Sequence, residues 1–459
     1  MPSLEIPVSK NQYIEMEITG LGHAGEGVGK YQGFTLFVNG ALPGERAKVK
    51  VIKLNKNYGY GRLIEVIERS SERVEPLCAV YQQCGGCQLQ HLSYQEQLVQ
   101  KRRIVEDNLM RIGGIKDVII HDTLGMDKPW NYRNKSQVPI VEREGGLIAG
   151  FYAKGTHDVI QMNQCLIQQE ENDRIVQLTR EIAENLGISA YDERTHKGIL
   201  RHIVARIGVN TGELMLILVA TSEQFPQKEQ LIKQLTTVVP NLSSLILNIN
   251  PARTNVILGK RSVTLWGSDV IYDTIGNIRF AISPLSFYQV NPEQTKVLYD
   301  KALEYTGLTG TENVIDAYCG IGTISLFLAK RAKHVYGVEV VPEAIVDAKK
   351  NAKLNGIDNV TFVVGEAEKV IPKWQQEGLQ IDVLVVDPPR KGLDEALIRT
   401  IIELKPARMV YVSCNPSTLA RDLRLLVDGG FEVQEVQPVD MFPQTMHVEC
   451  CVLLIYEGK

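Results

Sequence analysis

The chain of 459 residues lacks any apolar run of about 18 residues, the length that spans a membrane. Its first residues lack the basic segment and apolar core of a secretory signal. An excess of one charge is also missing, since 50 Lys and Arg oppose 54 Asp and Glu for a net charge of −4. These absences argue against a membrane protein and against a protein that coats nucleic acid through bulk charge. We therefore expect a cytoplasmic monomer of about three domains.

Eight cysteines are present, and without an export signal we do not expect them to form a disulfide framework. Cys78, Cys84 and Cys87 lie close along the chain, and Cys165 is available as a fourth thiol. Zinc sites usually combine two C-x2-4-C pairs, which these residues do not form, so the spacing favours an iron–sulfur cluster. Zinc and unliganded thiols stay open as alternatives.

Residues 1–70 alternate apolar and polar positions between glycine turns, which predicts a small β domain. Segment 46–62 contains six cations and no acid, with Tyr58 and Tyr60 among them. Lys48 and Lys50 would share one face of a strand, a surface suited to phosphates and stacked bases. The alternative is a solvated edge strand that its lysines protect.

The pattern after residue 70 changes twice. Ser93 and Glu96 form a predicted capping box for a helix that ends near Gly113. Residues 71–280 mix strands with a helix, which predicts an α+β domain, and helix 93–112 is a candidate to pack on the C-terminal domain. Residues 281–459 alternate apolar strands and helices, which predicts a doubly wound parallel α/β sheet.

A glycine loop, Asp316-Ala-Tyr-Cys-Gly-Ile-Gly322, lies between a predicted strand and a predicted helix. Glu339 ends the next predicted strand, where a carboxylate can bind ribose hydroxyls. Ser325 stands where NAD-binding loops have their third glycine, so the pattern favours S-adenosylmethionine over NAD. A glycine turn without a ligand is the remaining alternative. Asp387 ends a later apolar strand on a Pro-Pro turn, at the same expected edge of the sheet.

One thiol and one acid are expected at that edge too. Cys414 follows a predicted strand, at a site where helix dipoles can lower a thiol pKa, and Glu449 precedes the apolar strand 450–455. A buried structural cysteine and an exposed strand-end acid are the alternatives. The C5 carbon of uracil becomes a good nucleophile when a thiolate adds to C6, and a base must then remove the C5 proton. Cys414 and Glu449 are candidates for these two roles.

Together these motifs resemble the RNA uracil-5-methyltransferases, in particular bacterial members that act on 23S rRNA. The resemblance extends over nearly the whole chain and includes an N-terminal stretch similar to a TRAM β-barrel. Its motifs are Cys84-Gly-Gly-Cys-Gln-Leu-Gln-His91, Tyr132-Arg-Asn-Lys135, Phe287-Tyr-Gln-Val-Asn291, Asp316-Ala-Tyr-Cys-Gly-Ile-Gly322, Asp387-Pro-Pro-Arg-Lys-Gly392, Ser413-Cys-Asn-Pro416 and His447-Val-Glu449.

The resemblance implies a Rossmann-like class I methyltransferase domain, S-adenosyl-L-methionine and a [4Fe–4S] cluster. The implied cofactor contacts are Gln289, Tyr318, Glu339 and Asp387. The implied cluster ligands are Cys78, Cys84, Cys87 and Cys165. Cys414 would be the nucleophile, Glu449 the base, Phe287 the residue that stacks on a flipped uracil, and Arg133 an RNA contact. The β-barrel and the cluster together favour 23S rRNA, with tRNA uridine, RNA cytidine and a non-catalytic RNA-binding assembly factor as alternatives.

Overall fold

The computed structural model describes residues 6–458, so residues 1–5 and Lys459 lie outside the described part. The prediction that no secretory signal is present depends partly on residues 1–5, which lie outside the described residues. Among the described residues, no helix combines the length and the apolar character needed to cross a bilayer.

The first sheet is built from six strands in the order β1-β5-β6-β4-β3-β2. They are β1 (Tyr13–Glu17), β2 (Gly20–Leu21), β3 (Gly27–Tyr31), β4 (Phe34–Asn39), β5 (Arg46–Leu54) and β6 (Tyr58–Glu68). The sheet curls until β3 lies against β1. A Cβ atom at Gly29 would come 2.1 Å from the carbonyl oxygen of Glu17, so only glycine fits there. This curled sheet is the predicted N-terminal β domain.

Helix α1 (Tyr94–Arg111) and the short strand β7 (Ile119–Ile120) follow a segment that carries three cysteines. The hydroxyl of the N-cap Ser93 accepts the Glu96 N–H at 3.3 Å. The other half of the predicted capping box is not formed, because the Ser93 N–H donates to the Glu72 carbonyl at 2.8 Å. The Glu72 carbonyl thus accepts the Ser93 N–H, which the Glu96 side chain was expected to accept.

The central sheet has the order β10-β9-β8-β11-β12-β13-β14, with helices α2 and α3 on one face. Its elements are β8 (Lys135–Arg143), β9 (Gly146–Tyr152), β10 (Val159–Gln161), α2 (Glu170–Asn185), β11 (Leu200–Ile207), β12 (Leu214–Ala220), α3 (Lys228–Val238), β13 (Leu242–Ile249) and β14 (Arg261–Gly267). Val204, Ile217 and Val219 point to the opposite face and join the core of the C-terminal domain. The two domains therefore share one continuous apolar core.

A two-stranded hairpin, β15 (Ile271–Ile275) and β16 (Ile278–Ile282), lies between these domains. Ile271, Ile278 and Phe280 are fully buried in the shared core. The boundary proposed at residue 281 falls inside β16, so the hairpin links the two domains rather than separating them.

The third sheet has the order β19-β18-β17-β20-β21-β23-β22-β7. Its elements are α4 (Pro292–Thr306), β17 (Asn313–Ala317), α5 (Thr323–Ala329), β18 (His334–Glu339), α6 (Pro342–Leu354), β19 (Val360–Val364), α7 (Ala367–Gln376), β20 (Val383–Val386), α8 (Glu395–Leu404), β21 (Arg408–Ser413), α9 (Pro416–Asp428), β22 (Phe431–Val439) and β23 (Glu449–Tyr456). The five strands from β19 to β21 are parallel, and β23 inserts antiparallel beside β21.

Helices cover both faces of this sheet, which confirms the predicted doubly wound α/β class. Helices α4, α5 and α6 pack on one face, and α7, α8 and α9 pack on the other. Helix α1 joins the second layer through Val105 and Leu109, and β7 pairs with β22. Two elements from the start of the chain therefore complete the C-terminal domain.

Candidate active site

Cys414 and Glu449 meet at one edge of the third sheet because of its strand directions. Ser413, the last residue of β21, pairs with Cys450 of β23. Since the two strands are antiparallel, the next position on each strand is occupied by Cys414 and Glu449. Asp387 follows β20, the neighbour of β21 on the other side. The three side chains predicted from separate motifs are thus brought together at the carboxyl edge of the parallel strands.

Burial makes the carboxyls at this edge hard to ionise. Glu449 is 4% exposed, and burial together with the nearby charge of Asp387 raises its pKa to about 8, although Arg390 opposes the shift. Burial and the charge of Asp316 raise the pKa of Asp387 to about 7. Uncompensated carboxyls with such pKa values are typical of functional sites.

The thiol of Cys414 is half-buried at the junction of β21 and α9. Burial, Glu449 and Asp387 raise its pKa to about 11, and Arg390 lowers it only in part. The prediction that helix dipoles lower this pKa is therefore wrong for the chain without ligands, because desolvation and two acids outweigh them. A nucleophilic role requires that the thiol lose its proton when substrate is bound.

The glycine loop after β17 is held by Glu339. One carboxylate oxygen accepts the Gly320 N–H at 3.3 Å, and the other accepts the Val341 N–H at 2.9 Å. Tyr318 lies in this loop with a left-handed φ of 69°. Burial, Glu368 and Asp394 raise the pKa of Tyr318 to about 12, which shows that its side chain faces the layer of α7 to α9. The ring of Tyr318 therefore packs on the α7–α9 side of the sheet, and its backbone N–H donates to the Val338 carbonyl at 3.0 Å.

Asp316 begins the glycine loop, and Thr323 follows it as the first residue of α5. Asp316 is fully buried, accepts a hydrogen bond from the Ser325 hydroxyl, and burial raises its pKa to about 7. Tyr299 on α4 donates its hydroxyl proton to the Thr323 hydroxyl at 3.1 Å. Burial and the nearby carboxyls raise the pKa of Tyr299, and Arg390 lowers the pKa of Glu449. Motif reasoning assigned a role to neither residue. The position of Arg390 three residues after Asp387 was the available signal.

Phe287 and Gln289 lie in the loop between β16 and α4. The ring of Phe287 is 72% exposed, which is rare for phenylalanine, whereas Gln289 is buried. Asn134 holds this loop, because its side-chain amide donates to the Gln289 carbonyl at 3.0 Å and its backbone N–H donates to Val290 at 2.8 Å. The central domain thus holds the loop that carries this exposed aromatic ring.

Arg133 and Lys135 flank Asn134 and are both half-buried. Lys135 pairs with Arg206 across the β8–β11 ladder. Burial, Arg206 and Arg133 lower the pKa of Lys135 to about 8. This concentration of buried positive charge is suited to an anion, and sequence reasoning had singled out Arg133 only.

All four cysteines predicted as cluster ligands line one cavity of about 410 Å³, together with Arg133, Arg390 and His447. The lining cysteines are Cys78, Cys84, Cys87 and Cys165. The Gly86 N–H donates to the sulfur of Cys84 at 3.3 Å. Burial raises the pKa of Cys87 to about 11 and that of Cys165 to about 12. Within residues 6–458, no group of three or more His, Cys, Asp or Glu side chains is placed to hold a metal ion.

The basic segment of the first sheet divides into two halves. In the first half, Arg46 pairs with Glu15 at 2.9 Å and with Glu68 at 3.5 Å, so acids from neighbouring strands neutralise this one cation. The second half is aromatic, since the rings of Phe37, Tyr58 and Tyr60 lie within 5.8 Å of one another. The surface suited to bases and phosphates is therefore smaller than the linear segment implies.

The parallel sheet, the loop held by Glu339 and the antiparallel β23 together define a Rossmann-like class I methyltransferase fold. Residues 274–457 match the model of the tRNA (Uracil-5-)-methyltransferase family, and residues 7–64 match the TRAM domain. The crystal structure of the Pyrococcus abyssi tRNA (uracil-54, C5)-methyltransferase with S-adenosyl-L-homocysteine has a TM-score of 0.76 and 29% identity, covering 96% of this chain and 99% of that one.

Two curated relatives extend over the full length. An uncharacterized RNA methyltransferase of Halalkalibacterium halodurans is 59% identical over 454 residues, 99% of this chain and 99% of the relative. One of Listeria innocua is 57% identical over 447 residues, 97% of this chain and 98% of the relative. The chain belongs to the RNA (uracil-5-)-methyltransferase family, whose members use S-adenosyl-L-methionine. The predicted fold and enzyme class are confirmed.

Proposed function

We propose that this enzyme methylates C5 of uridine in 23S rRNA through a covalent adduct between Cys414 and C6 of the base. The observation that supports it most is the β21–β23 register, with Cys414 and Glu449 at neighbouring positions beside Asp387. A nucleophile and a base that act in sequence on adjacent carbons must lie that close together.

The proposed reaction has three steps: addition of the thiolate, methyl transfer and elimination. The Cys414 thiolate forms a bond to C6, and the C5–C6 π electrons move to the C4 oxygen as an enolate. The enolate then re-forms its carbonyl while C5 takes the methyl group, and the sulfonium sulfur keeps the electron pair of the broken bond. Glu449 removes the C5 proton, the C5–C6 double bond returns, and the Cys414 sulfur leaves with the electrons of its bond to C6.

S-adenosyl-L-methionine supplies the methyl group on a positively charged sulfonium, a charge that also favours the ionised forms of nearby carboxyls. We propose that S-adenosyl-L-methionine is held by Gln289, Tyr318, Glu339 and Asp387. Arg390 lowers the pKa of both Cys414 and Glu449, so it favours the two charged forms that the reaction needs.

The target base must leave its stack to reach Cys414, which costs a few kcal/mol and suits a loop or junction in RNA. Phe287 is the exposed ring on which we propose that the flipped uracil stacks. Arg133 and Lys135 would bind the RNA backbone at the active site, and the aromatic half of the first sheet would bind a more distant segment. Since one chain supplies all of these groups, we propose that it acts as a monomer.

We propose that Cys78, Cys84, Cys87 and Cys165 hold a [4Fe–4S] cluster with a structural role. The donor set fits, because four thiols line one cavity and the Gly86 N–H donates to the sulfur of Cys84. The spacing of the four cysteines, which do not form two C-x2-4-C pairs, is the reason for which we place a cluster before zinc.

Two measurements test the cluster. Protein purified without oxygen should be brown, with broad visible absorbance and iron bound, and Cys165→Ser should lose both. Stoichiometric zinc without iron would contradict the proposal.

A tRNA uridine is the second candidate substrate, because the Pyrococcus abyssi structure that covers 96% of this chain is named as a tRNA enzyme. The β-barrel and the four cysteines are the reasons for which we place 23S rRNA first. Mass spectrometric mapping of 5-methyluridine in rRNA and tRNA from cells without this protein would distinguish the two. Loss of the mark from tRNA alone would contradict the rRNA assignment.

The covalent mechanism is tested with RNA that contains 5-fluorouridine. This base has no C5 proton to remove, so we expect a stable adduct with the wild-type enzyme and none with Cys414→Ala. Glu449→Gln should accumulate the adduct with natural RNA. An adduct formed by Cys414→Ala would overturn the assignment of the nucleophile.

A further inference from the structure

One face of α1 holds the segment that leads into Glu449. Tyr94, Gln97 and Lys101 lie three and four residues apart, so they share that face. The ammonium of Lys101 donates to Asp440 at 2.5 Å and to the Phe442 carbonyl at 3.1 Å. The Tyr94 hydroxyl donates to the other oxygen of Asp440 at 2.9 Å. Helix α1 is therefore a polar support for segment 440–444, which precedes β23.

Gln97 is the centre of this support and is 1% exposed. Its side-chain amide nitrogen lies 3.0 Å from the Gln444 side-chain oxygen and 2.9 Å from the Leu92 carbonyl. Its side-chain oxygen accepts the Gln444 backbone N–H at 3.1 Å. The same nitrogen is 3.1 Å from the carbonyl of Leu89, two residues after Cys87. Gln97 therefore joins the cysteine segment, residues 78–89, to segment 440–444.

Gln444 has a left-handed φ of 69°, a conformation that residues other than glycine rarely adopt. Its carbonyl accepts the backbone N–H groups of Gln88 and Leu89, both at 3.0 Å. These residues directly follow Cys87. The unfavourable conformation persists because Gln97 and the cysteine segment hold Gln444 from two sides.

We propose that Gln97 is a positioning residue that acts through Gln444 to place Glu449 for removal of the C5 proton. The inference rests on the proposed function, in which Glu449 is the base. Loss of the Gln97 bonds frees the turn five residues before Glu449, and a small displacement of a buried base slows proton transfer strongly. Cys414 is held by β21 and by α9, whose cap Asn415 bonds the Ser417 N–H at 3.0 Å. Formation of the adduct therefore does not depend on Gln97.

The test uses Gln97→Met, which keeps the length of the side chain and removes its hydrogen bonds. In single turnovers, adduct formation on 5-fluorouridine RNA should keep its wild-type rate. Decay of the adduct on natural RNA should slow by roughly ten- to a hundredfold. The pH midpoint of that decay should also shift, which a general loss of stability would not cause.

Gln100→Met is the matched control. Gln100 lies on the same helix, is 3% exposed and donates to the Glu96 side chain at 2.6 Å, so this hydrogen bond stays within the helix and does not involve segment 440–444. Both rates should stay at the wild-type values. Wild-type decay in Gln97→Met would overturn the inference, as would equal slowing of both steps.

Two further variants keep the result decisive. If Gln97→Met does not fold, Gln444→Gly removes the side-chain partner and makes the left-handed conformation easy. It should slow decay in the same way, and unchanged decay would overturn the inference.

Glu449→Gln is measured in parallel. If it fails to trap the adduct, the assignment of the base is wrong and the inference falls with it, whereas trapping without a Gln97 effect overturns the inference alone.

Discussion

Two buried acids nine residues apart in the chain have opposite environments. Asp440 is 0% exposed, pairs with the fully buried ammonium of Lys101 and accepts the Tyr94 hydroxyl. Glu449 is 4% exposed, and burial together with the nearby carboxyl of Asp387 raises its pKa to about 8. The compensated acid anchors the segment, and the uncompensated acid is available for proton transfer. The same type of side chain is therefore either neutralised or left without a close cation according to its partner.

The largest effect on activity should come from the uncompensated acid. Glu449→Gln should lower turnover by about 10²–10⁴-fold, because an amide cannot take the C5 proton. Nucleoside analysis of labelled RNA would measure it. Glu432→Gln removes an exposed carboxylate on the adjacent strand β22 and should leave turnover unchanged. Normal turnover in Glu449→Gln would show that the Glu449 carboxyl is not the base.

The largest effect on stability should come from the compensated acid. Lys101→Met leaves Asp440 buried without its counter-charge and should cost about 3–5 kcal/mol in the free energy of unfolding. Denaturant titration followed by fluorescence would measure the loss. Lys296→Met breaks an exposed pair with Asp300 one helical turn away, and should cost at most about 0.5 kcal/mol. Similar losses in the two variants would show that burial does not distinguish the pairs.

The pH dependence of adduct decay should follow Glu449. A base works only when ionised, so decay on natural RNA should speed up as pH rises, with a midpoint near the pKa of about 8. A stopped-flow or quench series from pH 6 to pH 9.5 would show it, with 5-fluorouridine RNA as the control for adduct formation. A decay rate that is flat over this range would exclude Glu449 as the titrating base.

The smallest effect should be on thermal stability. Between pH 4.5 and about 8, unfolded Glu449 has lost its proton while the folded residue keeps it, so stability falls as pH rises through that window. Glu449→Gln removes this penalty. Its Tm should therefore exceed the wild-type Tm by a few degrees at pH 8 and by less at pH 5. A lower Tm at pH 8 would mean that the carboxyl has a stabilising partner.

Several features could be predicted because they depend on local pattern. The apolar strand before Asp387 and the one that ends in Ser413 are recognisable from short runs, and parallel strands bring their carboxyl ends together. The position of Cys414 followed from that rule. The burial of Glu449 did not, because it depends on the insertion of β23 between β21 and β22.

Other features depend on contacts between distant parts of the chain. The acid-free segment 46–62 seemed uniformly basic, yet Glu15 and Glu68 neutralise Arg46 across the sheet. The helix-dipole argument predicted a lowered thiol pKa for Cys414, yet burial and two carboxyls raise it to about 11. Neither strand partners nor desolvation can be read from residues that are adjacent in sequence.

Local pattern was sufficient for the alternation of strands and helices, the glycine loop and the identity of the candidate nucleophile. Folding was needed to place α1 beside the third sheet and to join Gln97 to Gln444, two residues that are 347 positions apart. Periodicity records which face of an element is buried, but the partner against which it is buried depends on long-range packing. For this reason the candidate reactive groups could be recognised in the sequence, whereas their pKa values and the residues that hold them in place could not.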